Sequence, residues 1–242
     1  HWTDNPQMSE QNKFGPYSHF GTAQAAEDRF IAPAGRFTVG EMEKQRAEPG
    51  SVVQGATYPV DLNIQNPLRV EDTGTHSPVN VAFEVDRVLN PDRDYEYLPD
   101  LPQKVLYHQI NNLTDEQVTQ LGKDMELDWH YDEFGVARDD IHAMRAWIKD
   151  EIDHNAREAH YNDIDDYTDI TPAESMLHAF TMYGSQLDSI STKKKKAQAL
   201  EVVSKVLEAE GYDGLVYKNN TEGGGADSYI ATRPGTVKSA TT

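Results

Sequence analysis

The first residue that could do chemistry is a lone histidine, His19, in the stretch Gly15-Pro-Tyr-Ser-His-Phe-Gly-Thr22. It follows a turn-forming Gly-Pro pair and comes directly before residues 22–29, whose composition predicts the opening of a helix. A lone histidine at the end of a strand is usually an ordinary hydrogen-bonded polar group. Its significance therefore depends on the rest of the chain.

An acidic segment offers a possible metal site. Asp163, Asp165, Asp169 and Glu174 fall at positions 1, 3, 7 and 12 of a calcium-loop template. Position 6 is Thr168, where the sharp turn of such a loop needs glycine. The segment is better read as an acidic loop before a helix, and we predict no metal site.

Other familiar catalytic motifs are missing from the sequence. The run Gly223–Gly225 lacks the lysine and the strand-to-helix order of a phosphate loop, and the chain has no cysteine for a thiolate site or nucleophile. The four lysines Lys193–Lys196 are more typical of a solvated helix face than of a phosphate site. Neither segment predicts nucleotide binding by itself.

The charge and hydropathy of the chain exclude some partners. With 41 acidic and 22 basic side chains, the formal net charge is −19, which disfavours binding to nucleic acid or to an anionic membrane. No apolar run approaches the roughly 18 residues needed to cross a bilayer, and no signal peptide is visible. Because the chain begins at His1, we expect a processed product or a domain of a longer polypeptide.

The N-terminal third predicts short, mixed elements. Residues 1–13 are polar and aperiodic and read as a lead-in. After strand 17–20 and helix 23–31, alternation of apolar and polar residues over 58–64 predicts a half-buried strand, and Ser77-Pro78 predicts the start of a helix that runs through Leu89.

The centre, about 90–190, is acidic and predicts mainly helices, which look like scaffold or partner surface. Helices are expected over 114–126, where Thr114 and Gln117 have capping-box spacing, over 139–159, and from Thr171 onward. After residue 190 the pattern is mixed again. A helix over 194–210 ends at Gly211, and strands over 214–217 and 227–232 flank a glycine-rich turn, as a hairpin or as two strands of one sheet.

Several of these stretches together resemble one family. They are His19-Phe-Gly-Thr22 with the helix after it, Tyr58-Pro-Val-Asp-Leu-Asn-Ile64, Gly211-Tyr-Asp-Gly-Leu-Val-Tyr217, Asp227-Ser-Tyr-Ile230 and Val237-Lys-Ser239. In this order they are similar to the ADP-ribosyltransferase-like domain of phage polyvalent proteins, itself distantly similar to toxin and poly(ADP-ribose) polymerase catalytic domains. The resemblance covers about 14–89 and 194–239 and leaves out the acidic helices.

The resemblance implies an α+β fold: one domain over 14–239 with a split antiparallel sheet and a helical insertion at about 90–190. It implies NAD as the substrate, no metal, and a site whose rate depends on positioning and electrostatics. His19 would bind a hydroxyl of the adenosine ribose, the backbone of Gly21 would hold the nicotinamide carboxamide, and Thr22 would begin a helix that faces the pyrophosphate. Tyr58 or Tyr229 would stack on the nicotinamide.

The chain departs from the family where a glutamate commonly precedes the last hydrophobic strand. Ser228 occupies that place, Asp227 is the nearest carboxylate, and Glu222 is a third candidate. The expected activity is mono-ADP-ribosylation of a bacterial host protein, in a phage virion or in the host cytoplasm. NAD glycohydrolysis and a catalytically silent virion or interaction module are the alternatives, and the serine favours the silent module.

Overall fold

The structure is a computed structural model of the chain. It describes residues 2–3, 18–23, 25, 56–57, 59–72, 77–92, 99–125, 140–165, 172–220, 223–233 and 235–240. Helices and small sheets both occur in these ranges, which confirms the α+β class. Within them, no helix combines the length and the apolar character needed to cross a membrane.

The chain divides into two compact units. The sheet unit comprises residues 1–74 and 204–242, and the helical unit comprises residues 75–203. The sequence analysis placed the helix that ends at Leu89 in the mixed N-terminal zone. In the structure this helix belongs to the helical unit.

The strands of the sheet unit are short. They are β1 (Trp2–Thr3), β2 (His19–Phe20), β3 (Ala56–Thr57), β4 (Val60–Leu62), β5 (Pro67–Arg69), β6 (Gly214–Asn219), β7 (Ala226–Ala231) and β8 (Val237–Ser239). Strands β2, β7, β6 and β5 form a four-stranded sheet in that order, and β1–β3 and β4–β8 form two-stranded pairs. β6 and β7 form the antiparallel hairpin that was one of the two arrangements expected, and its connection contains Gly224 and Gly225 at positive φ.

Strand β5 was not predicted, and it makes the four-stranded sheet mixed. It pairs with β6 in parallel, whereas β2–β7 and β7–β6 are antiparallel as expected. A parallel neighbour needs a long connection, and here the chain between β5 and β6 includes the whole helical unit.

A carboxylate clamp fixes the parallel pair at one end. The side chain of Asp213, just before β6, accepts hydrogen bonds from the backbone N–H groups of Gln65 and Asn66, at 2.7 and 2.9 Å. The backbone N–H of Asp213 in turn donates to the carbonyl of Asn66, and Asn66 Nδ2 donates to the carbonyl of Gly211. Gly211 has φ 85°, the left-handed conformation predicted for the residue after the preceding helix.

The register of the sheet sorts its residues onto two faces. Partners in neighbouring strands project from the same face, and successive residues along a strand alternate. Tyr217 pairs with Ser228, Leu215 with Ile230, and Ile230 with His19. These residues share one face, which we call the histidine face, whereas Asp227, Tyr229 and Arg69 belong to the opposite face.

The helical unit and its boundary contain six helices among the described residues: α1 (Pro78–Leu89), α2 (Asp100–Asn111), α3 (Asp115–Asp124), α4 (Ile141–Asp165), α5 (Pro172–Ile190) and α6 (Lys193–Ala209). Pro78 lies in the first turn of α1, where its missing N–H costs nothing. The capping box expected at α3 is confirmed, because Thr114 Oγ1 accepts from the N–H of Gln117 and Gln117 Oε1 accepts from the N–H of Thr114. The boundary between the units falls within α6.

The interior of the helical unit is apolar with polar links between helices. Its largest fully buried side chains are Leu106, Ile110, Ile148, Ile152, Phe180 and Leu187. Asp153 on α4, 9% exposed, accepts hydrogen bonds from Gln103 Nε2 and from the Tyr107 hydroxyl, the latter at 2.5 Å. Burial, followed by the bond to Asp153, raises the pKa of Tyr107. These contacts tie α2 to α4.

Candidate functional site

His19 lies on β2 and contacts a tyrosine two strands away. Its Nδ1 is 3.0 Å from the hydroxyl of Tyr217 on β6, and the two rings meet edge to face at a centroid distance of 5.9 Å. Tyr217 is 8% exposed and His19 is half-buried. Two residues 198 positions apart in the chain are thereby joined by one hydrogen bond.

The residues after His19 begin a helix, and Gly21 lies close to β7. The Oγ1 of Thr22 accepts a hydrogen bond from the N–H of Ala25 at 3.1 Å, which is the contact of an N-cap, and Ala23 and Ala25 are helical. A Cβ on Gly21 would lie 2.7 Å from Ser228 Oγ and 3.0 Å from the Cβ of Ala25. Glycine is therefore required here by close packing against the strand and the new helix.

Ser228 is buried on the histidine face. It is 3% exposed, and its Oγ accepts a hydrogen bond at 3.3 Å from Nδ2 of Asn219, which is 5% exposed. The serine hydroxyl thus lies between Asn219 and the backbone of Gly21. His19, Tyr217, Asn219 and Ser228 line one face with an imidazole, a phenol, an amide and a hydroxyl, and the strand residues of the described four-stranded sheet place no carboxylate there.

Asp227 and Tyr229 lie on the opposite face from His19. Both carboxylate oxygens of Asp227 accept from the guanidinium of Arg69 on β5, at 3.0 and 2.8 Å. This hydrogen-bonded ion pair lowers the pKa of Asp227 and raises that of Arg69. The pair is exposed, with 38% of the Asp227 side chain and 57% of the Arg69 side chain accessible.

Two candidate residues, Tyr58 and Glu222, lie outside the described residues. Of the others, the structure brings together His19, Gly21, Thr22 and Ser228 at one end of the β2–β7 pair. It separates Asp227 and Tyr229 from them by the thickness of the sheet. Within the described ranges, no three His, Cys, Asp or Glu side chains are grouped closely enough to hold a metal ion.

The sequence did not single out Tyr217, Asn219 or Arg69 as site residues. Tyr217 and Asn219 alternate with Val216 and Lys218 in the strand after Gly214, so their common face was readable from the period of two. Which partner strand they would face depends on pairing between residues about 200 positions apart, and no local pattern encodes that.

The lysine run at the start of α6 makes contacts within the helical unit. Lys195 Nζ donates to Gln117 Oε1 at 2.9 Å, and Lys196 Nζ lies 3.7 Å from Asp188 Oδ2. The sequence favoured a solvated helix face over a phosphate site. In the structure Lys195 and Lys196 of this face are paired with side chains of neighbouring helices.

Comparison of the chain with protein-family models, with curated proteins and with solved structures found no match.

Proposed function

We propose that the chain is an NAD-dependent mono-ADP-ribosyltransferase, encoded by a phage, that modifies a protein of the bacterial host. One observation carries the proposal. His19, Gly21 and Thr22 lie beside β7, so that three of the five stretches on which the family resemblance rests lie in one four-stranded sheet, and the other two pair with each other as β4 and β8.

The chemistry fits the residues of the histidine face. Cleavage of the bond between ribose and nicotinamide needs NAD to be held while a positively charged, oxocarbenium-like ribose develops, and it asks for little covalent work by the protein. In the proposal His19 binds the adenosine ribose, the backbone of Gly21 holds the nicotinamide carboxamide, and the helix capped by Thr22 faces the pyrophosphate.

The carboxylate that stabilises the developing cation is the open part of the proposal. Ser228 is buried between Asn219 and Gly21, which suits it to position Gly21. Asp227 is held by Arg69 on the other face. We therefore assign the carboxylate role to Glu222, on the glycine-rich connection between β6 and β7, and keep Asp227 as the competing candidate.

A catalytically silent module is the second candidate function, favoured because the described strand residues place no carboxylate on the histidine face. Losing a positioned charge commonly slows such chemistry about a hundredfold or more. A fold of this kind without the charge would bind NAD or a partner and turn over little. NAD glycohydrolysis, with water as the acceptor, is the remaining alternative.

The test is NAD turnover by the purified chain, measured as nicotinamide release and as transfer of labelled ADP-ribose to proteins of a bacterial lysate. We expect release and labelled bands from the wild type, and a loss of about a hundredfold or more in kcat/KM in His19→Ala. His154→Ala is the matched control, because His154 is an exposed histidine of the helical unit.

Glu222→Gln and Asp227→Asn then identify the carboxylate by which of the two loses turnover. Nicotinamide release without labelled protein would show that the activity is NAD glycohydrolysis and not ADP-ribosyl transfer to protein. A wild type that releases no nicotinamide, but whose melting temperature rises with NAD, supports the silent module. No release and no shift would overturn the proposal altogether.

A further inference from the structure

The inference concerns Asp213-Gly214, the one place in the sequence where a glycine directly follows an aspartate or an asparagine. In such a pair the side-chain carboxyl can react with the unhindered backbone nitrogen of the glycine. We propose that Asp213-Gly214 is a site of spontaneous isoaspartate formation, and that the Asp213 clamp, formed by its carboxylate with the N–H groups of Gln65 and Asn66, suppresses the reaction while β5 and β6 are paired. The inference goes beyond the proposed function and does not rest on it.

The reaction needs no co-reactant other than water. The backbone nitrogen of Gly214 attacks Cγ of Asp213, a C–N bond forms, and one water leaves with a carboxyl oxygen, the carboxyl proton and the N–H proton. Water then opens the resulting succinimide ring. Addition at Cγ restores aspartate, whereas addition at the backbone carbonyl carbon of Asp213 gives isoaspartate, which has the same mass and one additional carbon in its backbone.

The clamp engages both oxygens of the carboxyl group that would be attacked. Oδ2 of Asp213 accepts from the N–H of Gln65 at 2.7 Å, and Oδ1 accepts from the N–H of Asn66 at 2.9 Å. The attack removes one of these oxygens and turns Cγ out of its plane, so at least one of the two bonds has to break first. The clamp therefore adds the loss of a charge-assisted hydrogen bond to the barrier of the reaction.

The attacking nitrogen is restrained as well. Gly214 is buried, and it is the first residue of β6, in register with Pro67 on β5 and with Ala231 on β7. The succinimide would leave Gly214 without its N–H and would bend the backbone where the strand begins. We therefore expect the ring to form mainly in chains whose sheet has opened locally.

The fold itself accounts for the presence of both residues of this reactive pair. A Cβ on residue 214 would lie 3.0 Å from the backbone oxygen of Ile230 and 3.0 Å from Cγ2 of Ile64, so packing favours glycine. Asp213 is needed for the clamp. An isoaspartate here would insert its additional carbon at the start of a strand that is paired on both sides, and we expect converted chains to lose the four-stranded sheet.

The experiment follows one tryptic peptide of the full chain. Cleavage after Lys205 and Lys218 releases residues 206–218, in which Asp213 is the only aspartate and asparagine does not occur. The chain is incubated at neutral pH and body temperature, either folded in buffer or unfolded in guanidinium chloride. Isoaspartate in the peptide is then quantified by liquid chromatography against synthetic peptides of both forms.

Three variants test the cause of the protection. Gln65→Pro removes one of the two N–H donors and leaves Asp213-Gly214 intact. Gln65→Ala is the matched control, because it changes the same position and keeps the N–H. Asp213→Glu confirms the reacting residue, since glutamate would have to close a six-membered ring, which forms far more slowly.

We expect isoaspartate to form at least about tenfold faster in the unfolded wild type than in the folded one, because the folded chain reacts only after local opening. Among the folded chains, Gln65→Pro should react about 3- to 10-fold faster than the wild type, the worth of one hydrogen bond, and Gln65→Ala at the wild-type rate. The peptide from Asp213→Glu should contain no isomerised form.

Equal rates in the folded and the unfolded wild type, or no isoaspartate in either, would overturn the inference. Equal rates in Gln65→Pro and Gln65→Ala would show that the clamp is not what protects the pair. Should Gln65→Pro fail to fold, hydrogen exchange of the Gln65 and Asn66 amides in the folded wild type decides. Slow exchange supports the clamp, and exchange as fast as in the unfolded chain, beside an intact Asp213, refutes it.

Discussion

The sheet unit and the helical unit bury polar side chains in different ways. In the helical unit the polar groups include carboxylates, the buried Asp153 and the half-buried Asp188, and each bridges two helices through hydrogen bonds. In the sheet unit the polar groups of the histidine face are an imidazole, a phenol, an amide and a hydroxyl, and the described strand residues place no carboxylate there.

This difference suggests a structural role for the polar groups of the helical unit and a functional role for those of the histidine face. Buried carboxylates that bridge helices are accounted for by packing, because each finds donors on neighbouring helices. Three of the four polar groups of the histidine face, those of His19, Tyr217 and Ser228, lie instead in stretches that carry the family resemblance. The four are hydrogen-bonded in two pairs, His19 with Tyr217 and Asn219 with Ser228. We therefore expect substitutions in the helical unit to affect stability, and substitutions on the histidine face to affect NAD.

The largest loss of stability is expected from Asp153→Ala. The change leaves Gln103 Nε2 and the Tyr107 hydroxyl without their acceptor in a buried site, and should lower the free energy of unfolding by about 3 kcal/mol. Urea unfolding measures the loss, with Asp150→Ala, at an exposed position of the same helix, as the control. A loss below about 1 kcal/mol would show that these bonds are replaced by water.

The next largest effect is expected in the sheet unit, from Gly21→Ala. The new Cβ would meet Ser228 Oγ at 2.7 Å and should cost about 1–3 kcal/mol of unfolding free energy through overpacking. Adding Ser228→Ala removes the nearest atom and should restore part of the loss, although the Cβ of Ala25 stays at 3.0 Å. Strictly additive effects of the two changes would mean that the contact is absent in solution.

A smaller effect, and one that depends on pH, is expected from Asp188→Asn. Burial raises the pKa of Asp188, while Lys196 and Gln109 act to lower it. Because the folded pKa is raised above the unfolded value, the contribution of Asp188 to stability is full below about pH 4 and is lost as the pH rises through the folded pKa. The wild type should thus lose stability relative to Asp188→Asn as the pH rises from about 4 through the raised pKa of the folded state.

Urea unfolding across that pH range checks the Asp188 prediction. Ser228→Ala, which removes no titratable group, is the control and should keep a constant difference from the wild type. If the difference in free energy of unfolding between Asp188→Asn and the wild type is also independent of pH, the prediction for Asp188 is wrong.

The smallest effect is expected from Asp227→Asn. Both side chains of the ion pair between Asp227 and Arg69 are exposed to water, and exposed ion pairs contribute little to stability. The melting temperature should be indistinguishable from that of the wild type in 0.15 M salt, where exposed charges are screened over about 8 Å. A clear drop, reproduced in Arg69→Gln, would mean that this face is covered and that the pair is structural.

Local sequence patterns predicted the elements well. The capping box at Thr114, the proline in the first turn of α1, Gly211 after α6 and the β6–β7 hairpin are each encoded within a few residues. The periodic apolar residues of α4 likewise predicted a long helix, although it runs to Asp165 and the prediction ended at 159.

Long-range pairing was beyond such patterns. Strand β5 has only three residues and was not predicted, since its identity comes from pairing with β6 and from the Asp213 clamp. Asp227 and Ser228 are adjacent in sequence, and both were candidates, Ser228 at the place of the family glutamate and Asp227 as the nearest carboxylate. A strand places neighbours on opposite faces, however, and only the pairing showed which of them shares a face with His19.

The Asp213 clamp has a consequence for the order in which the chain folds during synthesis. Asp213 is made 147 residues after Asn66, and β2 waits still longer for β7. All of residues 75–203 leave the ribosome first, so local helix contacts can form while β2 and β5 still lack their partners. A ribosome that stops before Gly214 releases a chain in which the four-stranded sheet cannot form.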